Sequence, residues 1–448
     1  MTHQRLLPAL AVLALSGTTL LGACTNPTAG SAPASDAGVE RWGATTTRLE
    51  GATLTLWAAQ TSNKIPLKVV DAFEKATGAK VEVITIPDNY ESNVQTKIAT
   101  GDRPDLLFWQ PVPSTLAGFV AQDLLQDLEG APWVTDYADG IADAGGTYDG
   151  KRYAALISSP DVEGVYYNKK VFAAAGITET PKNWDEFIAA AEKIKGANIP
   201  GVASPLFEMA GSQWGTQWAV NIQLAEAAKD GLWDRINKNE DSFSGPDVLG
   251  AIKEYKGMFD KGLYNTDAGS AKDTDQSVAL WEGKTGMIIQ TNGTFNAIAA
   301  LAKNDKAALD ETIGFFPISK KGNIGTSIPQ QTGGVVAFKS GDAGREAAAR
   351  QFLNFWMTDG YETFVKDQNI VSVMKTVKSP DTVPQALLDS AASLKDSVGS
   401  MQSQAIANPD LYLNLANMVN GTVTPEEAAK ATQDQFAEIA KAQGAKGF

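Results

Sequence analysis

The sequence predicts an α/β fold, and three observations carry that prediction. Two short β-prone runs, LTLW (54–57) and KVEVITI (80–86), flank IPLKVVDAFEKATG, in which Val69, Val70, Phe73 and Ala76 recur at helical spacing. PDLLFW (104–109) is a further short apolar run of the buried-strand type. Beyond it, helical patterns are interspersed with apolar strands such as GMIIQT (286–291) and GGVVAF (333–338).

Each element has a local reason. Gly78 follows the first helical pattern where a left-handed residue is needed to stop it, so strand, helix and strand form a βαβ unit with parallel strands. NWDEFIAAAEKI begins with Asn183 and Glu186, and TPEEAAKATQDQFAEIAKA with Thr424, Pro425 and Glu427; both fit the capping box, which satisfies the free N–H groups of a first turn. The GKT of WEGKTGM lacks the earlier glycine of a phosphate loop, since Val278 stands there, so it reads as a turn feeding a strand.

The N-terminus has a different character. Arg5 precedes an apolar run from Leu6 to Leu21, and the small residues Gly22 and Ala23 precede Cys24, the one cysteine in the chain. This is a secretory-signal layout. With cysteine directly after the small residues it resembles a bacterial lipobox, which implies cleavage after residue 23, lipidation of Cys24 and anchorage on the outer face of the cell membrane. Residues 24–50, rich in Pro, Ala, Gly and Ser at their start, read as a disordered tether.

Composition excludes several chemistries. The single histidine, His3, lies inside the signal, so the mature chain has none for Ser-His-Asp catalysis or histidine-ligated zinc. No second cysteine completes a CxxC pair. The formal charge of −14, without clustered Lys or Arg, argues against nucleic acid. Asp267, Asp273 and Asp275 cluster in DAGSAKDTDQS, but the spacing misses a calcium loop, so no metal and no cofactor is expected. At 448 residues and 43% hydrophobic, the chain can build two substantial cores.

A resemblance to a known family then runs from about residue 52 to the C-terminus. LTLW, AFEKATGAKVEV, ATGDRPDLLFW, YYNKKVFAAAGI, LWEGKTGMIIQTNG, GFFPISKKG, GGVVAF, AARQFLNFWMTDGYETFV and TPEEA follow in order. Together they resemble the maltose-binding-protein-like solute-binding lipoproteins of ABC sugar importers. The resemblance implies a two-lobe Venus flytrap, with lobes of 51–158 plus 318–372 and 159–317 plus 373–448. Hinge crossings are expected near Leu156–Glu163, Ile313–Lys320 and Val371–Thr376. It also implies a monomeric receptor without enzymatic activity, which closes on a sugar, in the first place an oligosaccharide, and hands it to a permease; a polyamine or glycerol phosphate receptor is the alternative within the fold, and an anchored glycoside hydrolase a remote one.

Sugar sites need flat aromatic faces and planar polar side chains. Trp109 ends the PDLLFW strand, where α/β sheets place ligands, and matches a stacking tryptophan of the family. Its loss is expected to weaken binding and spare the fold. Either Tyr90 or Glu91 faces the cleft, and Asp161, with Glu163 as its rival, matches a crossing-strand carboxylate. Phe295 stands where relatives usually carry tryptophan, close to Asn292. Trp214 and Trp218 stand four apart on one helix face, where either a ligand ring face or packing into the second lobe is open, and Trp214 is the candidate; Trp57, Trp184, Trp281 and Trp356 are read as core. Gln60, Thr61, Gln331, Gly333 and Gly334 complete the set, the glycines because ligand can approach backbone N–H groups there.

Overall fold

The computed structural model describes residues 41–59, 64–87, 90–328 and 333–448. The signal segment and Cys24 lie outside the described residues. The chain starts with β1 (Thr53–Ala59), a helix (Leu67–Thr77) and β2 (Lys80–Ile86), and β1 and β2 pair in parallel along their whole length. Gly78 ends the helix at φ 80°, with its N–H on Glu74 O at 2.8 Å. β3 (Leu106–Trp109) pairs with β1; β4 (Thr147–Tyr148) and β5 (Lys151–Arg152) form a small hairpin before β6 (Ala154–Leu156).

The chain then crosses to a second sheet. There β7 (Asp161–Asn168) is central, with β8 (Ser204–Leu206), β9 (Thr285–Gln290), β10 (Ile313–Phe316) and β11 (Thr326–Ile328) around it. β12 (Gly334–Ala337) returns to the first sheet, in order β2-β1-β3-β12-β6, and β13 (Val398–Gly399) edges the second by pairing with β11. Two sheets exchanging strands make a two-lobe α/β fold. The capping box expected at Thr424 and Glu427 is present; at Asn183 only half of it is, since Asn183 accepts from Glu186 N–H while the Glu186 carboxylate accepts from Lys182 N–H, one residue earlier.

Three expectations need correction. The second crossing is not at Ile313–Lys320, because β10 pairs with β7 and β11 with β7 and β13, all in the second lobe; the chain crosses between Ile328 and Gly334. Residues 318–328 therefore belong to the second lobe. The third crossing falls after Lys375, since Val373 O and Lys375 N still bond Ala138 and Asp136 of the first lobe, while Gln385 N reaches Asp310 of the second. The first crossing, Ile157–Pro160 between β6 and β7, lies where expected.

The tether also ends earlier than residue 50. Trp42 packs edge-on to Trp133 at 5.0 Å and donates its indole N–H to Glu129 O at 2.9 Å. Gln351 donates to the carbonyls of Thr45 and Thr47. The ordered body includes this strap, because the indole face of Trp42 gains apolar burial there.

Each lobe buries one sheet face in its own core, around Trp57, Leu107 and Trp109 in the first and Trp184, Trp218 and Trp233 in the second. The opposite faces join in one core that runs from Phe73 and Trp356 through Ile157 and Val162 to Tyr166 and Phe315. Asp105, 3% exposed, ties the first lobe together: it accepts Thr55 N–H at 2.7 Å and both arms of Arg345.

Candidate functional site

Where the lobes face each other, the first turn of the helix Pro113–Ala121 meets the short helix Met401–Gln404. An interlobe cavity lies on each side of that contact. One, of about 270 Å³, takes Glu91, Gln110, Ser114 and Thr115 from the first lobe and Ile328, Gln402, Asn408 and Gln443 from the second. The other, of about 230 Å³, lies between Val112, Pro113 and Asp143 on one side and Ser327, Lys395 and Ser403 on the other. Among the described residues, the first cavity takes three carboxamides or hydroxyls from each lobe and one charged residue, Glu91. Its size is near the low end of small-molecule sites, which run from about 300 to 1,000 Å³.

The sequence left Tyr90 and Glu91 open, and their environments differ. Tyr90 is 7% exposed, and its hydroxyl donates toward Phe108 O at 2.8 Å, with Trp57 O at 3.3 Å. Burial pushes its phenol well above the ordinary range. It is a core residue; Glu91, next to it in the first helical turn, lines the cavity.

Trp109 is at the end of its strand as expected, yet it is 2% exposed, packed on Phe119 with centroids 5.1 Å apart. It has no ring face to offer a sugar. Its indole N–H instead donates to Thr115 O at 3.2 Å, so it holds the turn that carries Ser114 and Thr115. Strand alternation sends residue 109 inward and leaves Gln110, the next residue, at the cavity.

Phe295 is also internal, and Asn292 is half-buried. Phe295, 2% exposed, packs on Tyr166 at 5.9 Å. Asn292 Oδ1 accepts Val162 N–H at 2.9 Å and the Ser390 hydroxyl at 2.7 Å, which fixes the start of β7 behind the hinge. Gly334 pairs with Trp109 and Leu156, and a side chain there would meet Pro111 and Trp109 O within 3 Å, so its small size serves strand packing. Gly333 O accepts Ile157 N–H at the crossing. Gln60, Thr61 and Gln331 lie outside the described residues.

Trp214 differs from the other tryptophans singled out: its residue is 38% exposed, and it stands edge-on to the buried Trp218 at 6.0 Å. The preceding Gln213 has φ 62° and ψ −62°, the rare γ-turn conformation, which costs a non-glycine residue about 1–3 kcal/mol. The turn presents Trp214 outward, and its carbonyl accepts from Gln217 Nε2 at 2.9 Å.

Gln217 belongs to a chain of side chains leading to the cavity. Gln402 Nε2 donates to Gln217 Oε1, Asn221 Nδ2 donates to Gln402 Oε1 at 3.1 Å, and the same Nδ2 donates to Glu163 Oε1 at 3.0 Å. Glu163 is fully buried, and desolvation pushes its carboxyl well above the ordinary range, with the Asp161 carboxylate adding in the same direction. Asp161 is half-buried and pairs with Ile328 of the cavity wall. Lys64 of the first lobe feels the Asp161 charge, although burial lowers its ammonium pKa more than Asp161 raises it.

Neither sequence periodicity nor any motif pointed to Gln110, Gln402, Asn408 or Gln443. They sit just past a strand end, in a one-turn helix, in a loop and just past the last helix, where only tertiary folding brings them together. Among the described residues, no group of three or more His, Cys, Asp or Glu is arranged to hold a metal. Asp275 instead caps Lys272 N–H at 2.9 Å.

Residues 68–388 match the family of bacterial extracellular solute-binding proteins. A putative binding protein of Brucella abortus is 29% identical over 231 residues, and the chain spans about half the length of that relative, 52%. The diacetylchitobiose binding protein DasA of Streptomyces coelicolor is 25% identical over 86% of this chain and 89% of its own. Among solved structures, a chitin oligosaccharide binding protein superposes with a TM-score of 0.67 at 23% identity, covering 86% of this chain and 98% of that one.

Proposed function

We propose, since this chain belongs to the bacterial extracellular solute-binding proteins, that it captures a neutral oligosaccharide between its lobes and delivers it to an ABC permease. The observation that carries the reading is the makeup of the first cavity: carboxamides and hydroxyls from both lobes, with Glu91 as its one charge. Carboxamides supply a donor and an acceptor in one plane, which suits paired sugar hydroxyls and N-acetyl groups. The names of the DasA relative and the chitin oligosaccharide binding protein support starting with oligosaccharides of N-acetylglucosamine. Trp214, exposed and tied to the cavity residue Gln402 through Gln217, is the ring face this reading assigns to the sugar.

Closure works through differential affinity: ligand contacts both lobes only when they approach, so it shifts the population toward the closed form that a permease recognises. Cys24, lipidated after removal of residues 1–23, would hold this monomer on the outer face of the membrane. No covalent chemistry is assigned to it. Glycerol phosphate fits poorly, since no Lys or Arg lines the cavity among the described residues. A polyamine is the second reading, favoured by Glu91 and by the nearby Asp161.

The test compares Glu91→Ala and Gln402→Ala with the parent in sugar titrations. Both should lose about tenfold or more in affinity, with unfolding temperature unchanged in Glu91→Ala and lowered in Gln402→Ala by the loss of its bonds to Asn221 and Gln217. Unaltered affinity in both would remove this cavity from the site.

A further inference from the structure

Glu163 and Asn221 form an incomplete pair. A carboxyl group facing a carboxamide can join it by two hydrogen bonds, N–H to one carboxyl oxygen and carboxyl O–H to the amide oxygen. The first is present, Asn221 Nδ2 to Glu163 Oε1 at 3.0 Å. The two atoms left over, Glu163 Oε2 and Asn221 Oδ1, are buried and have no partner among the described residues. Both would be acceptors if Glu163 were ionised, and two unsatisfied acceptors in one buried pair are costly. One proton on Oε2 supplies the missing donor and satisfies both.

We propose that Glu163 is a positioning residue that keeps its proton at neutral pH, donating it to Asn221 Oδ1, and that this pair fixes the carboxamide of Gln402 at the ligand cavity. The consequence for Gln402 follows from donor counting. Asn221 has two amide hydrogens, one on Glu163 and one on Gln402 Oε1 at 3.1 Å. Gln402 must then present its oxygen to Asn221 and its NH₂ to Gln217, which leaves its second N–H for an acceptor atom in the cavity. Through Gln217 Nε2 on Trp214 O, the same chain holds the turn of the exposed ring.

The surroundings favour the neutral acid. Asn221 approaches from its helix, Gln402 lies beyond it, and Thr326 of β11 pairs with Glu163; none of these is ionisable. The Asn221 N–H on Oε1 favours the ionised form, but the one charge that acts on Glu163, the Asp161 carboxylate on its own strand, opposes ionisation. Desolvation acts in the same direction.

The assignment of a ligand role to Gln402 rests on the oligosaccharide reading; the proton does not. The first measurement is therefore independent of ligand: infrared difference spectra of residues 41–448 at pH 7 between the parent and Glu163→Gln. A protonated-carboxyl carbonyl band present in the parent and absent from the variant is expected; no such difference overturns the proposal. The second is titration with N,N′-diacetylchitobiose across pH. Glu163→Gln replaces O–H by N–H and should bind within about twofold of the parent, whereas Glu163→Leu should bind about tenfold or more weakly. Parent affinity should fall at high pH as Glu163 ionises, and that of Glu163→Gln should not. A Glu163→Gln variant that loses binding as fully as Glu163→Leu would overturn the positioning role. If Glu163→Leu does not fold, the pH profile of Glu163→Gln against the parent decides it. If the parent binds no sugar, the functional reading fails while the infrared result still decides the proton.

Discussion

Tyr90 and Glu91 are adjacent in one helical turn and serve opposite compartments: the Tyr90 hydroxyl is bonded at 2.8 Å to Phe108 O in the first-lobe core, while Glu91 lines the cavity between the lobes. About 100° of helical rotation separates their side chains, enough to place one in apolar packing and the other at the interlobe cavity. Separable roles follow. Tyr90→Phe should lower stability by about 1 kcal/mol, the net value of its hydrogen bonding, and leave ligand affinity unchanged. Denaturant unfolding and a sugar titration on the one variant check both parts.

Trp109 and Trp214 should respond in opposite ways. Trp109 is buried, so Trp109→Ala should cost about 3–5 kcal/mol of stability. Trp214 is substantially exposed, so Trp214→Ala should change unfolding little and reduce sugar affinity about tenfold or more. A pair of urea melts with matched titrations separates the two. A stable Trp109→Ala with weakened binding would restore the stacking role expected from sequence.

The γ-turn at Gln213 offers a test of strain. Glycine tolerates positive φ, so Gln213→Gly should leave stability unchanged or raise it by up to about 1 kcal/mol, the relieved strain being partly offset by the chain entropy of glycine. A loss of more than about 1 kcal/mol in thermal unfolding would mean the side chain, not the backbone, determines that turn.

Two buried acids set a pH dependence. Burial pushes Glu208 up to about 7, and Glu163 is raised in the same direction. Raised carboxyl pKa values mean that the native state holds protons which the unfolded chain releases above its ordinary value of 4.5. The Glu208 contribution is then fully present below about pH 4.5 and is lost as pH rises through about 7. Unfolding free energy should fall by a few kcal/mol over that interval, because each tenfold difference in proton affinity between the native and unfolded chain is worth about 1.4 kcal/mol. Glu208→Gln should flatten the lower part of the slope, as read from urea melts at a series of pH values.

Much of the fold was legible in sequence because its signals are local. The capping box at Thr424, the left-handed Gly78 and the parallel β1–β2 pair follow from residue types at fixed spacing. The lobe boundaries after residue 317 were not legible, because β10 and β11 are short apolar runs whose partners depend on tertiary pairing. For the site, the rule that ligands gather beyond strand ends pointed to Trp109, whereas the residue that lines the proposed cavity is the next one, Gln110. Aromatic residues drew attention because they are large, yet most of those near the hinge, Phe295 among them, are needed for the shared core. Carboxamides carry no periodic signal, so Gln402 and Gln443 became visible only when the lobes were brought together.

The central claim is that the cleft holds a neutral sugar, and thermal unfolding of residues 41–448 tests it most directly. Starting at 41 keeps Trp42 on Trp133. The panel comprises chito-oligosaccharides and other neutral oligosaccharides, polyamines and glycerol phosphates. A ligand at about one hundred times its dissociation constant adds about 2.7 kcal/mol to stability. A clear rise in melting temperature with one neutral oligosaccharide series, reduced in Gln402→Ala, is the expected result. A rise with polyamines or glycerol phosphate and none with any sugar would contradict the account.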